Sequence, residues 1–165
     1  MTATPSTMEQ AHIADQHLEM RIAADPSKVW QALTSDIGKW WPSEFFCGGG
    51  SDASERRFLL EAWPGGRMWE DWGSGDGLLW ATVVNVVAGK TLEMSGFQGP
   101  AWGGPNAWYS SYALEADGDG TKLRFSESGF GRMAESMLAD KETGWRFLFA
   151  TMAAHLEGKE PPKWG

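Results

Sequence analysis

The residues with the type and spacing to do chemistry lie mid-chain. Glu61, Arg67 and Glu70 fall on two neighbouring β-prone runs joined by Pro64, Gly65 and Gly66. Glu70, if it projects into an apolar cavity, could anchor or protonate a ligand, although a bulge in its strand would turn it to the other face. Glu61 with Arg67 reads more simply as a cross-strand ion pair on the wet face. His12, His17 and His155 are scattered, with no pair at ligand spacing on one element, whereas zinc needs three or four converging donors. No metal is expected. The serines Ser95, Ser110, Ser111, Ser126 and Ser128 have no strained elbow and no readable His and acid partners, so no nucleophilic triad is indicated. Gly65 and Gly66 do not open a helix after a strand, as a phosphate cradle would require. Cys47 is the only cysteine, which excludes an internal disulfide. No catalytic residue and no cofactor are assigned. Any catalysis would use Glu70 or another buried acid as general acid or base.

The bulk properties narrow the class. A chain of 165 residues fits one domain, and its net charge of -8 disfavours nucleic acid and anionic membrane surfaces, which are bound through cationic faces. No apolar run approaches the roughly 20 residues of a bilayer span, so no membrane insertion is expected. No basic flank precedes an apolar core at the N-terminus, and the default compartment is cytoplasmic. The chain holds 11 tryptophans and 8 methionines. Wide indoles and adaptable thioethers suit the wall of an irregular cavity, the alternative being a solid core.

The elements that would position these residues follow from periodicity. Trp145, Leu148, Phe149, Met152 and Leu156 recur at helical steps, which predicts an amphipathic helix from about Ser136 to Gly158, with Lys141, Glu142, Thr143, Arg146 and Glu157 largely off its apolar stripe. Pro161 and Pro162 forbid its continuation, and the tail ending in Trp164 should lie along the surface or dangle. Upstream the text is strand-like. Alternation from His17 gives a first strand; Asp25 then Pro26 starts a helix; a second short helical piece runs from Ser35 to Trp41, broken by Gly38. Cys47 to Asp52 reads as a glycine-rich loop. Six further strands are expected at Arg57 to Trp63, Arg67 to Trp72, Leu78 to Val87, Thr91 to Gly96, Ala107 to Ala116 and Thr121 to Phe130. A leader at 1–15, one domain at 16–159 and a tail at 160–165 result. A curved antiparallel sheet around the last helix is the economical α+β solution.

Taken together, DPSKVWQALT (Asp25 to Thr34), EAWPGGRMWEDW (Glu61 to Trp72), LLWATVVNVVAGKTL (Leu78 to Leu92), DGDGTKLRFSESG (Asp117 to Gly129) and TGWRFLFATMAAHLEG (Thr143 to Gly158) resemble the activator of heat-shock protein 90 ATPase homologue family. That family sits within the helix-grip superfamily of START and birch-pollen-allergen-like domains. The resemblance implies a seven-stranded antiparallel sheet gripping the C-terminal helix, with an apolar ligand held between them. The wall would draw on Trp41, Phe45, Met68, Glu70, Trp80, Met94, Phe97, Trp102, Trp108, Tyr112, Phe125, Met133, Met137, Trp145 and Phe149, with the loops beside Phe45 and Trp102 as a lid. The implied partner is a small apolar ligand of unspecified identity. A homodimer and, through the family's name, a chaperone partner stay open, although the N-terminal domain of the eukaryotic cochaperone is not present in this sequence.

Overall fold

The structure is a computed structural model that describes residue 8, residues 10–48 and residues 55–165. Residues 1–7 and 9 of the expected leader, and 49–54 of the loop expected at Cys47 to Asp52, lie outside the described residues.

Among the described residues seven strands form one sheet: β1 (His12–Ile22), β2 (Arg57–Leu60), β3 (Arg67–Gly73), β4 (Asp76–Val87), β5 (Thr91–Gln98), β6 (Asn106–Asp117) and β7 (Gly120–Gly131). Their spatial order is β1-β7-β6-β5-β4-β3-β2, and every neighbouring pair is antiparallel. Sequential connections join β2 through β7 as a meander, the one between β5 and β6 carrying a 3-10 turn, and β1 completes the sheet by pairing with β7. Period-two alternation settles which face is covered. On β1, Gln16, Leu18 and Ile22 are buried while His17, Glu19 and Arg21 are exposed. On the exposed face Arg124 of β7 reaches Glu19 at 3.0 Å and Glu115 at 2.5 Å, so the wet parity is laced by ion pairs.

Two helices follow the expected start and stop signals. In α1 (Pro26–Leu33) the Asp25 carboxylate accepts from the N–H groups of Ser27 and Lys28 at 3.1 Å, as an N-cap should. The long C-terminal α3 (Met137–Glu157) ends at Gly158, where Lys159 N–H reaches Ala154 O at 2.8 Å and Gly158 N–H reaches His155 O at 3.2 Å. Those two bonds make a Schellman cap. The stripe of α3 packs into one apolar cluster with Leu18, Ile22, Val29, Leu33, Leu123 and Phe125. This is the helix-grip arrangement.

Strand ends elsewhere shift by one or two residues, and the differences with a physical reason are these. β1 begins at His12, inside the stretch assigned to the leader, because His12 pairs with Gly131 and the ladder runs unbroken to Ile22. An edge strand with exposed residues up to His12 carries little apolar periodicity, which hid it. The short α2 (Ile37–Trp40) contains Gly38 rather than breaking there; a Cβ at Gly38 would stand 2.6 Å from the Phe58 carbonyl oxygen, so this glycine lets α2 settle on β2. β2 stops at Leu60 rather than Trp63, since Trp63 N–H turns back to Glu61 O at 2.9 Å. Single 3-10 turns lie at Ser43–Phe45 and Pro100–Trp102.

Candidate functional site

The two halves of α3 meet the sheet differently. Its C-terminal half packs closely towards β3, β5 and β6: Leu148, Phe149, Thr151 and Met152 are buried, and the gap among Trp41, Met68, Met94, Tyr112, Trp145 and Phe149 closes to about 10 Å³. That is at the lower limit for one water. The N-terminal half instead covers a cavity of about 450 Å³. Small residues on facing elements, Ala81, Gly96, Ser110 and Gly144, leave that volume where larger side chains would fill it.

Met68, Trp80 and Met94 form one apolar wall, and Tyr112, Trp145 and Leu148 form another. Phe45 and Trp102 stand where their loops meet α3, Phe45 against Gly144 and the Trp102 loop beside Met137. Phe45 stacks on Phe147, with ring centroids 5.5 Å apart, and meets Trp164 edge-on at 5.0 Å, so the C-terminal tail lies along the surface against this segment. Phe97 borders the cavity while its side chain is 82% exposed.

Five of the expected lining residues do not reach the cavity. Trp41 stacks on Phe58 at 3.7 Å, and Phe125 and Phe149 are locked with Tyr112 and Trp145 in one aromatic cluster. Met133 is half-buried in the segment between β7 and α3. Glu70 has no exposed surface, and its carboxylate accepts from Trp80 Nε1 at 2.8 Å, Trp72 Nε1 at 2.7 Å and Cys47 N–H at 2.8 and 3.0 Å. It faces the covered side of the sheet, yet these donors intercept it before the cavity. Glu70 therefore holds the indole of Trp80 from outside the wall and has no face to offer a guest as an acid or base. Cys47 shares this environment: burial first, and the Glu70 charge second, push its thiol up to about 12. Glu61 and Arg67 pair at 3.1 Å, and Arg67 also lies 4.4 Å over the ring of Trp69.

The polar part of the wall is one that sequence reading missed. Glu127 of β7, 4% exposed, accepts at the same Oε1 from Gln16 Nε2 at 2.9 Å and from Lys141 Nζ at 2.9 Å. Lys141 lies on α3 one turn before Trp145, on the buried stripe rather than off it, and its ammonium stands 3.3 Å above the Trp108 ring. Burial pulls Lys141 below the ordinary lysine range, and Glu127 opposes that pull. The Trp108 N–H donates to Gln98 Oε1 at 2.8 Å and also to Asn106 Oδ1. Its ring lies over Gly129, where a Cβ would fall 2.5 Å from the indole, so only glycine admits this placement. Burial, then the Glu127 charge, raise the Tyr112 hydroxyl well above its usual range, against a hydrogen bond with Ser110. The signal was present: Thr121, Leu123, Phe125 and Glu127 share one strand parity, which puts a carboxylate on the covered face.

No helix among the described residues is long and apolar enough to cross a membrane. Comparison with curated proteins finds no match. Among solved structures, an uncharacterised protein from Rhizobium leguminosarum superposes with TM-score 0.68 at 22% identity, covering 93% of this chain and 100% of that one. Ara h 8.0201 gives 0.65 at 13% identity over 90% and 100%. The Aha1 dimer from Colwellia psychrerythraea gives 0.60 at 21% identity over 87% and 96%. These likenesses establish the fold. The family model described as Activator of Hsp90 ATPase homolog 1-like protein matches residues 23–157, and the chain belongs to that family.

Proposed function

We propose that the chain binds a small apolar or amphipathic molecule in the cavity between the sheet and the N-terminal half of α3, without catalysing its conversion. The observation that carries this reading is a volume of about 450 Å³ walled by indoles and thioethers, within the range of small-molecule sites. The test is binding of the neutral apolar dye phenylnaphthylamine, read by its fluorescence and by melting temperature. Wild type enhances the dye and gains stability, and Ser110→Phe, which places a ring in the cavity, abolishes the enhancement. Equal enhancement in both proteins would put the dye elsewhere. No response to the dye or to a panel of sterols, long-chain alcohols and aromatic polyketides removes the proposal.

A second reading, self-association, is favoured by one feature of the exposed sheet face. Ile13, Phe130, Ala107 and Phe97 are successive cross-strand partners over β1, β7, β6 and β5, and Ile13, Phe130 and Phe97 are 82%, 63% and 82% exposed. Such a row suits a second copy of the chain, in keeping with the relative solved as a dimer. Light scattering of wild type against Phe97→Ser decides it: a dimer that the substitution dissociates supports it, and a wild-type monomer ends it.

A further inference from the structure

The cavity has one polar corner, and its charge balance constrains the part of a guest that reaches it. Lys141 and Glu127 meet there at 2.9 Å, with Glu127 almost wholly buried and Gln16 on the same carboxylate oxygen. The ammonium has three N–H bonds. One is given to Glu127 and one side of the group faces the Trp108 ring, which leaves donor capacity for a guest in a wall that also holds Ser110. The pair thus offers a donor and an acceptor with no net charge between them. Asp140 adds a carboxylate to the lining, so the site carries two acids against one base, in a chain of net charge -8.

We propose that the Lys141 and Glu127 pair selects a neutral amphiphile, one whose hydroxyl or carbonyl hydrogen-bonds at this corner while its apolar body lies against Met68, Met94 and Trp145. The inference rests on the cavity-binding reading above. A carboxylate head would be met by Glu127 and could reach Lys141 only by drawing it off its partner. That leaves Glu127 a buried unpaired charge, a penalty that outweighs the new ion pair. A quaternary ammonium head meets the like charge of Lys141 at the same spot and has no N–H to donate to Glu127. A hydroxyl needs neither rearrangement, since it accepts from Lys141 and can donate to Glu127.

Decanol, decanoate and decyltrimethylammonium share one chain length and differ in head group, so their competition against bound phenylnaphthylamine at neutral pH isolates the corner's preference. Decanol displaces the dye at concentrations about tenfold lower than either ion. Glu127→Gln leaves Lys141 without its counter-charge, and decanoate then overtakes decanol. Decanoate competing as well as decanol in wild type overturns the inference, as does an unchanged order in Glu127→Gln. Should Glu127→Gln fail to fold, the wild-type order alone decides. Dye binding with equal competition removes this inference and spares the cavity reading; absence of dye binding removes both.

Discussion

Glu70 on β3 and Glu127 on β7 are both buried, 0% and 4% exposed, near opposite edges of the same sheet and on its same face. Glu70 accepts from two indole N–H groups and a backbone N–H, all neutral, and stacked rings of Trp41 and Phe58 close the region around it. Glu127 accepts from an ammonium and an amide, with 450 Å³ of open volume against the pair. The first carboxylate is a knot that holds three segments together; the second is part of a surface a guest can touch. Burial of an acid therefore says little about function until its donors are counted. A carboxylate whose partners are all immobile N–H groups has its lone pairs committed to structure. One shared with a mobile cation at a void keeps capacity for exchange.

The largest effect that sharpens this contrast comes from Glu70→Leu, which strips three part-buried donors of their acceptor. Each unsatisfied donor costs about 1–3 kcal/mol, and with some relaxation the sum is about 4 kcal/mol. At this chain length that lowers the melting temperature by about 12 °C. The milder Glu70→Gln removes the charge that helps hold Cys47 protonated, and iodoacetamide labelling of Cys47 accelerates by about tenfold, while wild type labels slowly because its thiol titrates at about 12. A small thermal loss in Glu70→Leu, or unchanged labelling in Glu70→Gln, would mean the knot is slack.

Glu127→Gln is expected to cost less, about 2 kcal/mol, because the amide oxygen that replaces the carboxylate can still accept from both Lys141 and Gln16. Thermal scans against Glu70→Leu give the order directly, and a larger loss at Glu127 would reverse the assignment of roles. The pH dependence adds a signature. Lys141 has a folded-state pKa below its unfolded value, so between the two the unfolded chain binds more protons and stability rises with pH. The cost of burying the ammonium is fully present below the folded pKa and is relieved as pH climbs towards about 10.4, the ordinary lysine value. Tyr112 and Cys47 act with the opposite sign, since raised pKa values in the fold cost stability once the unfolded groups ionise. The diagnostic is therefore the difference in melting temperature between wild type and Lys141→Met, which moves in favour of wild type as pH rises from 7 to about 10. A flat difference contradicts the burial of Lys141 as a cation.

Most of the fold was legible because it depends on local rules. Asp25 with Pro26 marks α1, and the stripe from Trp145 to Leu156 places α3 within a residue of its observed ends. Turn residues between β-prone runs locate the meander. The cavity's indoles and thioethers were legible as types, but which of them face a void depends on the small residues opposite. Ala81, Gly96, Ser110 and Gly144 carry no signal of their own. Lys141 was misplaced because a lysine early in an amphipathic helix reads as a wet residue until its partner across the sheet is known. Glu127 shared the parity of Leu123 and Phe125 and could have been found by extending that alternation two residues. The capture of Glu70 by Cys47, 23 residues away and past a loop, has no local signature.

The smallest predicted effect concerns the segment that joins the two regions. From Pro42 to Cys47 the chain runs from the closely packed end, where Glu70 grips the Cys47 N–H, to the rim of the cavity, where Phe45 rests against Phe147 and Trp164. Trp164 is 44% exposed, so Trp164→Ala removes a partly solvated edge contact, and the loss of stability stays below about 1 kcal/mol. Its consequence is kinetic. With one side of Phe45 unsupported, the segment opens more often, and phenylnaphthylamine enters and leaves faster by about threefold while its equilibrium affinity hardly changes. Stopped-flow fluorescence measures both rates. Acceleration of release alone, with affinity lost in proportion, would instead make Trp164 part of the binding surface and extend the hollow region to the C-terminal tail; unchanged rates would leave the Glu70 anchor as sufficient to hold the segment closed.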